Sequence, residues 1–183
     1  MSNFTKSMQF LMRLEFSSPS FALYKNETEN GLTFFGIYEC AHPDFKGWEL
    51  VKQVLKGRSL KEASVILYNN SDLVALVYEF YKREFWDKMR LDEVESDLKA
   101  SEVFIFGVNV DTKPAVRVLQ RLLNVTVDGV MGAQTLKALN AYDEDKFNTD
   151  FDSCEIAYYA NLVSQKPKFK VYANGWKNRA LAV

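Results

Sequence analysis

The sequence predicts a mainly α-helical protein with one small β-hairpin close to its N-terminus. Three observations carry that expectation. Phe4, Met8 and Leu11 recur at helical spacing. Residues 21–38 place two segments rich in aromatic and β-branched side chains around a polar stretch ending in Asn30 and Gly31. From about Trp48 onward the apolar residues keep a helical period.

Each element follows from local pattern. Residues 3–16 read as an amphipathic helix, and Glu15 extends the series Phe4, Met8, Leu11 by one further step of four. That step puts a carboxylate on the core-facing stripe, and Pro19 then stops the helix. After the hairpin the pattern predicts helices over 47–56, 59–68, 70–86, 91–106, 113–123, 133–140, 144–165 and 175–181. Asp111 with Pro114 marks a helix start, and Asn124 a helix end. Without repeats, low-complexity tracts or a long linker, the chain reads as one medium domain, or one domain with a small lobe attached.

Composition narrows the function classes. At 183 residues, with 48% hydrophobic and 26% charged residues, the chain has ample material for a well-buried core. A formal net charge of -1 argues against nucleic acid as the main partner. The charge is uneven, however. No acid follows Glu155, whereas Lys166, Lys168, Lys170, Lys177 and Arg179 do, so the tail either meets an anionic polymer or solvates the last helix. Cys40 and Cys154 are too few for a disulfide framework; free, buried thiols are expected, with a single bridge as the alternative. The N-terminus lacks a signal-peptide pattern, and no stretch approaches the roughly 18 apolar residues of a membrane span. Synthesis in the cytoplasm, without membrane insertion, is expected.

Candidate chemistry reduces to carboxylates. His42 is the one histidine and sits in a turn-like "AHPD" segment, with no partner Cys or His at zinc-ligand spacing. Its isolation leaves no Ser-His-Asp or Cys-His scheme that avoids His42 itself. The scattered glycines form no phosphate loop, so neither metal nor cofactor is expected. Glu15 is the leading candidate. A carboxyl at a helix C-terminus meets the negative end of the macrodipole, and burial disfavours its charge. Both effects favour the proton-bearing form that a general acid for glycosidic cleavage needs. The competing structural reading is a surface glutamate, or one paired with a neighbour such as Arg13. Glu27, Glu29 and Thr33 form a second cluster in the hairpin, and Asp44 is read as a surface acid.

Taken in order, these segments resemble the phage-type lysozymes of glycoside hydrolase family 108 with their attached peptidoglycan-binding region. The carriers are Glu15 at a helix end, then "NGLTFFGI" with Gly31, Thr33, Gly36 and Ile37, then "VYEFYKREFWDKM" at 77–89. They continue with "FGVNVDTKPAVRVLQRLLNVTVDGVMGAQTLKALN" at 106–140 and the ending "GWKNR" at 175–179. "VDGVMGAQTL" is the most specific piece, and independently of any family Asp128 and Gly129 read as a tight turn needing positive φ. The sequence also departs from the pattern. Phe16 and Ser17 replace two small residues, and the position five before Thr33 is Thr28, flanked by Glu27 and Glu29. Either a shifted register lets one of those glutamates serve as second acid, or that acid is missing.

The resemblance implies a lysozyme-like fold, with 1–100 as catalytic lobe and 101–183 as a peptidoglycan-binding lobe. It implies an endolysin-type N-acetylmuramidase with Glu15 as general acid and Thr33, with Glu29 or Glu27, positioning water. Phe35, Tyr38, Asn109 and Trp176 are the implied substrate contacts. Bacterial peptidoglycan is the implied partner, reached from the host cytoplasm by holin-type release, and a monomer is the default. Two alternatives stay open: a lytic transglycosylase that works with a single glutamate, and a non-catalytic wall-binding protein.

Overall fold

The computed structural model describes residues 3–16, 18–26 and 30–182. Among them the chain forms nine α-helices and one three-stranded antiparallel sheet, in agreement with a mainly α, lysozyme-like architecture. The chain folds into two compact units: an N-terminal unit, Met8–Lys82, and a C-terminal unit, Arg83–Val183 together with Met1–Ser7. The boundary expected at 100–101 falls within a helix that runs Asp97–Val110.

Helix α1 (Asn3–Glu15) enters the N-terminal unit at Met8 and ends at Glu15, and a 3-10 turn, Pro19–Phe21, follows. Met8 and Leu11 are fully buried, so the predicted stripe does face the core. Three two-residue strands come next: β1 (Leu23–Tyr24), β2 (Thr33–Phe34) and β3 (Ile37–Tyr38). Leu23 pairs with Phe34, and Phe34 with Ile37, so these three share one face; all three are buried and each contributes about 1.5–3 kcal/mol of burial. Tyr24, Thr33 and Tyr38 therefore share the opposite face.

The hairpin differs from its prediction in one respect. The segment "LTFFGIY" is not one strand but two, reversed by Phe35 at φ 50° and Gly36 at φ 80°. Positive φ at both central residues gives a two-residue turn of the type whose twist matches paired strands. A Phe in that position hides the turn from any propensity-based reading.

Three helices complete the unit: α2 (Trp48–Leu55), α3 (Leu60–Tyr68) and α4 (Ser71–Tyr81). Helix α3 opens with a reciprocal cap, in which Ser59 accepts from the Glu62 N–H while Glu62 accepts from the Ser59 N–H. Asn70 caps α4 through the Leu73 N–H. Buried Ser64 is the tie between α3 and the sheet. Its Oγ accepts from the Leu23 N–H at 2.9 Å and donates to the Pro19 carbonyl at 2.6 Å.

In the C-terminal unit, a π-helical turn (Lys82–Trp86) and a 3-10 turn (Leu91–Glu93) precede α5 (Asp97–Val110). The predicted 91–106 helix is thus displaced, because Ser96 caps α5 by accepting from the Lys99 N–H. Helices α6 (Thr112–Leu122), α7 (Ala133–Ala141), α8 (Glu144–Gln165) and α9 (Ala173–Ala180) follow. Phe104, Phe106, Phe147 and Phe151 form much of the core, with Phe147 and Phe151 stacked at 5.1 Å. Buried Lys99 donates to the Leu139 carbonyl at 3.0 Å and to the Tyr142 carbonyl, which gives the C-terminal end of α7 its cation. Both cysteines are free; contrary to expectation Cys40 is exposed, and Cys154 is half-buried.

Because Ser64 satisfies two backbone groups of another segment, Ser64→Ala is expected to destabilise the protein by roughly 2 kcal/mol. A urea midpoint shift, with unchanged helical circular dichroism, checks it.

Candidate functional site

Glu15 is half-buried at the last residue of α1. Its placement depends on the β2–β3 turn. A methyl group built on Gly36 lies 3.0 Å from Glu15 Oε2 and 2.7 Å from the Tyr81 hydroxyl oxygen. The glycine therefore does two things: it adopts φ 80°, and it leaves room for a carboxylate and a phenol against the backbone. Tyr81, buried at the end of α4, donates through its hydroxyl to the Phe35 carbonyl at 2.7 Å and so holds the turn from behind. Sequence pattern gives Tyr81 no special weight. The "VYEFYKREFWDKM" motif contains it, but only the fold brings it to Glu15.

The other expected residues fall as follows. Thr33 is only 4% exposed, on β2 opposite Tyr38, and on the sheet face away from Phe34. Tyr38 is half-buried. Phe35 is buried and packs edge-on against Phe16 at 4.9 Å while stacking on Tyr68 at 5.7 Å. Glu27 and Glu29 lie outside the described residues. Glu39, which follows β3, is engaged: Lys52 binds it at 2.6 Å and the Leu32 N–H donates to it, and both hold its carboxyl below the usual range. His42 packs edge-on against Phe80 at 4.8 Å and lends its carbonyl to the Trp48 indole N–H.

Beside Glu15, on a neighbouring face of α1, opens a cleft of about 580 Å³. Gln9, Met12, Arg13 and Phe16 line it from α1 and its end, and Phe35, Tyr68, Val74 and Tyr78 line the rest together with Ser18 and Pro19. Glu15 is not among its lining residues. The turn is what joins the two: Phe35 lines the cleft, and its neighbour Gly36 meets the Glu15 carboxylate.

The C-terminal unit brings Asn109 and Trp176 to one residue, Tyr159. Asn109 donates to the Tyr159 hydroxyl at 2.6 Å, and the Trp176 indole stacks on the Tyr159 ring at 4.9 Å. Both expected substrate contacts thus brace α8. The predicted Asp128 and Gly129 turn is present, with Gly129 at φ 79°. Its organiser is buried Gln120, which the sequence does not single out. Gln120 donates to Asp128 at 2.8 Å and to the Val130 carbonyl at 3.0 Å, and accepts from the Gly129 N–H at 2.8 Å. The Gln120 amide and, after it, the Val130 N–H, both donating to Asp128, keep its carboxyl below the ordinary range.

A second feature that sequence pattern leaves hidden is a set of buried acids. Glu102 on α5 is 1% exposed and Glu155 on α8 is 3% exposed. Burial, with Asp152 adding like charge, pushes the Glu102 carboxyl up to about 8. Burial, with Glu102 and Asp152 adding like charge, pushes Glu155 up to about 9, while Arg179 opposes the rise. Arg179 is the arginine of "GWKNR", so this motif places a cation near an acid and an indole on a tyrosine within one turn.

Residues 114–181, which span α6 to α9, match the family described as a predicted peptidoglycan domain. Among solved structures the chain is similar to SagA of Brucella abortus, at TM-score 0.65 and 21% sequence identity, over 97% of this chain and 88% of that one. At that identity the likeness is one of fold. No curated protein matches the chain in sequence. The match covers the C-terminal part of the chain alone and associates that part with peptidoglycan.

The geometry makes two outcomes measurable. Gly36→Ala forces a side chain into positive φ and against Tyr81, at a cost of about 1–3 kcal/mol, read as a lowered thermal midpoint. For the buried acids the unfolded carboxyls titrate near 4.5 and the folded ones near 8 and 9. Between those limits the native state keeps protons that the unfolded chain has released, so stability falls as pH rises through the window and levels off above it. The slope is on the order of 1 kcal/mol per pH unit for each retained proton. Thermal melts across pH 4–9 should show the decline, and Glu102→Gln should flatten it and raise the midpoint at pH 8.

Proposed function

We propose that the protein cleaves the glycan of peptidoglycan, as a muramidase of the glycoside hydrolase family 108 type acting on the β-1,4 bond between N-acetylmuramic acid and N-acetylglucosamine. The observation that carries this reading is Glu15, set by Gly36 and Tyr81 against a strand reversal at the end of a helix. In the proposed reaction Glu15 gives its proton to the glycosidic oxygen as the bond to the anomeric carbon breaks. Water adds to that carbon from the opposite face and yields its proton to a carboxylate base. Thr33, with Glu29 or Glu27 as the base, is proposed to position that water, and a carboxyl separation of roughly 6.5–9.5 Å then gives inversion. Tyr38 and Phe35 are proposed to border the sugar site. Residues 1–100 would cleave and 101–183, with Asn109 and Trp176, would grip the wall. The proposed setting is a monomer made in the bacterial cytoplasm and released to the wall by a holin.

A single-glutamate lytic transglycosylase is the second reading. It is favoured by the phenol and the glycine backbone set against Glu15, an environment suited to an acid that works by itself. In that reaction the substrate's own 6-hydroxyl attacks the anomeric carbon, and its proton returns to Glu15 to leave an anhydro end.

Glu15→Gln is the discriminating variant. Clearing of permeabilised Gram-negative cells should fall by at least about a hundredfold, the scale of a lost general acid, while wall binding and thermal stability persist. Unchanged clearing would leave the protein as a wall binder alone. Mass spectrometry of the digested wall separates the two enzymes, since anhydromuramic ends exclude the hydrolase.

A further inference from the structure

Apart from Phe35, the cleft on α1 has a lining that glycan cleavage leaves unused. One wall is a set of three rings: Phe16 meets Phe35 at 4.9 Å and Tyr68 at 6.0 Å, both edge-on, and Phe35 stacks on Tyr68 with an interplanar angle of 14°. Met12 and Val74 add further apolar surface. The polar members are Gln9, Arg13, Ser18 and Tyr78, and none of the lining residues is a carboxylate. Arg13 is exposed, and among the described residues no acid pairs with it.

A guanidinium without a counter-ion, set in an apolar wall, selects for a ligand that brings its own anion. Its planar fork matches the two oxygens of a carboxylate, and low local polarity strengthens the pairing. The rings offer flat apolar surface to the body that carries the anion. A multiply charged anion would meet only this one cation in the lining, so a singly charged carboxylate on an aliphatic body fits the cleft better.

We propose that this cleft binds the acid-bearing stem peptide that peptidoglycan carries on its muramic acid, with Arg13 taking a stem carboxylate and the Phe16, Phe35 and Tyr68 rings packing against the aliphatic part. The inference rests on the proposed reaction at Glu15 for its substrate class. Geometry links the two sites: Arg13 and Glu15 leave α1 on different faces, and in the β2–β3 turn Phe35 lines the cleft while Gly36 meets Glu15. A glycan strand at Glu15 would therefore have its peptide substituent within reach of the cleft. The site makes the protein selective for peptide-bearing glycan over a bare N-acetylglucosamine polymer.

The test is calorimetric binding to the full chain carrying Glu15→Gln, which prevents turnover. Three defined probes are compared: a soluble disaccharide-tetrapeptide with free carboxylates, the same fragment amidated, and a chitooligosaccharide. The acid-bearing fragment should bind about tenfold tighter than either other probe, the scale of one charge-assisted hydrogen-bonded pair. Adding Arg13→Gln should abolish that preference, and Val74→Trp, which fills the cleft without touching the charge, should weaken the same fragment. A carboxylate preference that survives Arg13→Gln belongs elsewhere on the chain and overturns the assignment, as does equal binding of the chitooligosaccharide. The two readings fail separately. Loss of the cleavage reading shows in wild-type turnover, whereas loss of this one shows only in the binding ratio.

Discussion

The N-terminal unit depends on a two-residue chain reversal at Phe35 and Gly36. Both residues sit at positive φ, which a phenylalanine adopts only at a cost of about 1–2 kcal/mol. Tyr81 offsets that cost by donating to the Phe35 carbonyl from a buried position, and the Phe35 ring gains three aromatic neighbours. The strained turn then supplies what an ordinary strand would not: a backbone bare of Cβ, close enough for the Glu15 carboxylate to lie against it. Strain, hydroxyl and carboxylate form one interdependent arrangement, so the acid is held by the same contacts that hold the sheet.

The C-terminal unit solves a different problem. Its long helix α8 carries Asp152 and Glu155 toward a core that also contains Glu102 of α5, and two of these carboxyls are almost fully sealed from water. Charged, they would repel and lack solvation; protonated, they become tolerable polar groups. Arg179 on α9 supplies the opposing charge, and the Trp176 ring stacked on Tyr159 fixes that helix alongside. The C-terminal unit therefore uses its terminal motif as a clamp on α8.

Helical periodicity makes most of the architecture legible. Helix α8 is bounded correctly at both ends, because its caps and its polar flanks are local signals. Helix α5 is displaced by several residues, since Phe104, Ile105 and Phe106 are all buried and an all-round apolar helix carries no phase. The break in "LTFFGIY" is hidden by a β-favouring residue placed where glycine or asparagine normally signals a turn. Of the site, Glu15 is legible because both its helix position and its stripe are written locally. Tyr81, Gln120 and Glu102 are not, since nothing in a neighbourhood of sequence distinguishes a polar residue bound for a buried partner from one bound for solvent.

One short helix thus carries two kinds of information on separate faces. Its core stripe, Met8 and Leu11, ends in Glu15 and is fixed by packing; its outer face, Gln9, Met12 and Arg13, frames the cleft together with Phe16 just past its end. The proposed proton transfer needs a rigid, partly dry setting, and half-buried Glu15 lies against Gly36 beside the Tyr81 hydroxyl. A cation that selects among substrates needs the opposite, open access and no competing partner inside the chain. Arg13 and Glu15, two residues apart, leave the helix on nearly opposite sides, so each keeps its own environment, while Phe35 lines the cleft and Gly36 meets the Glu15 carboxylate.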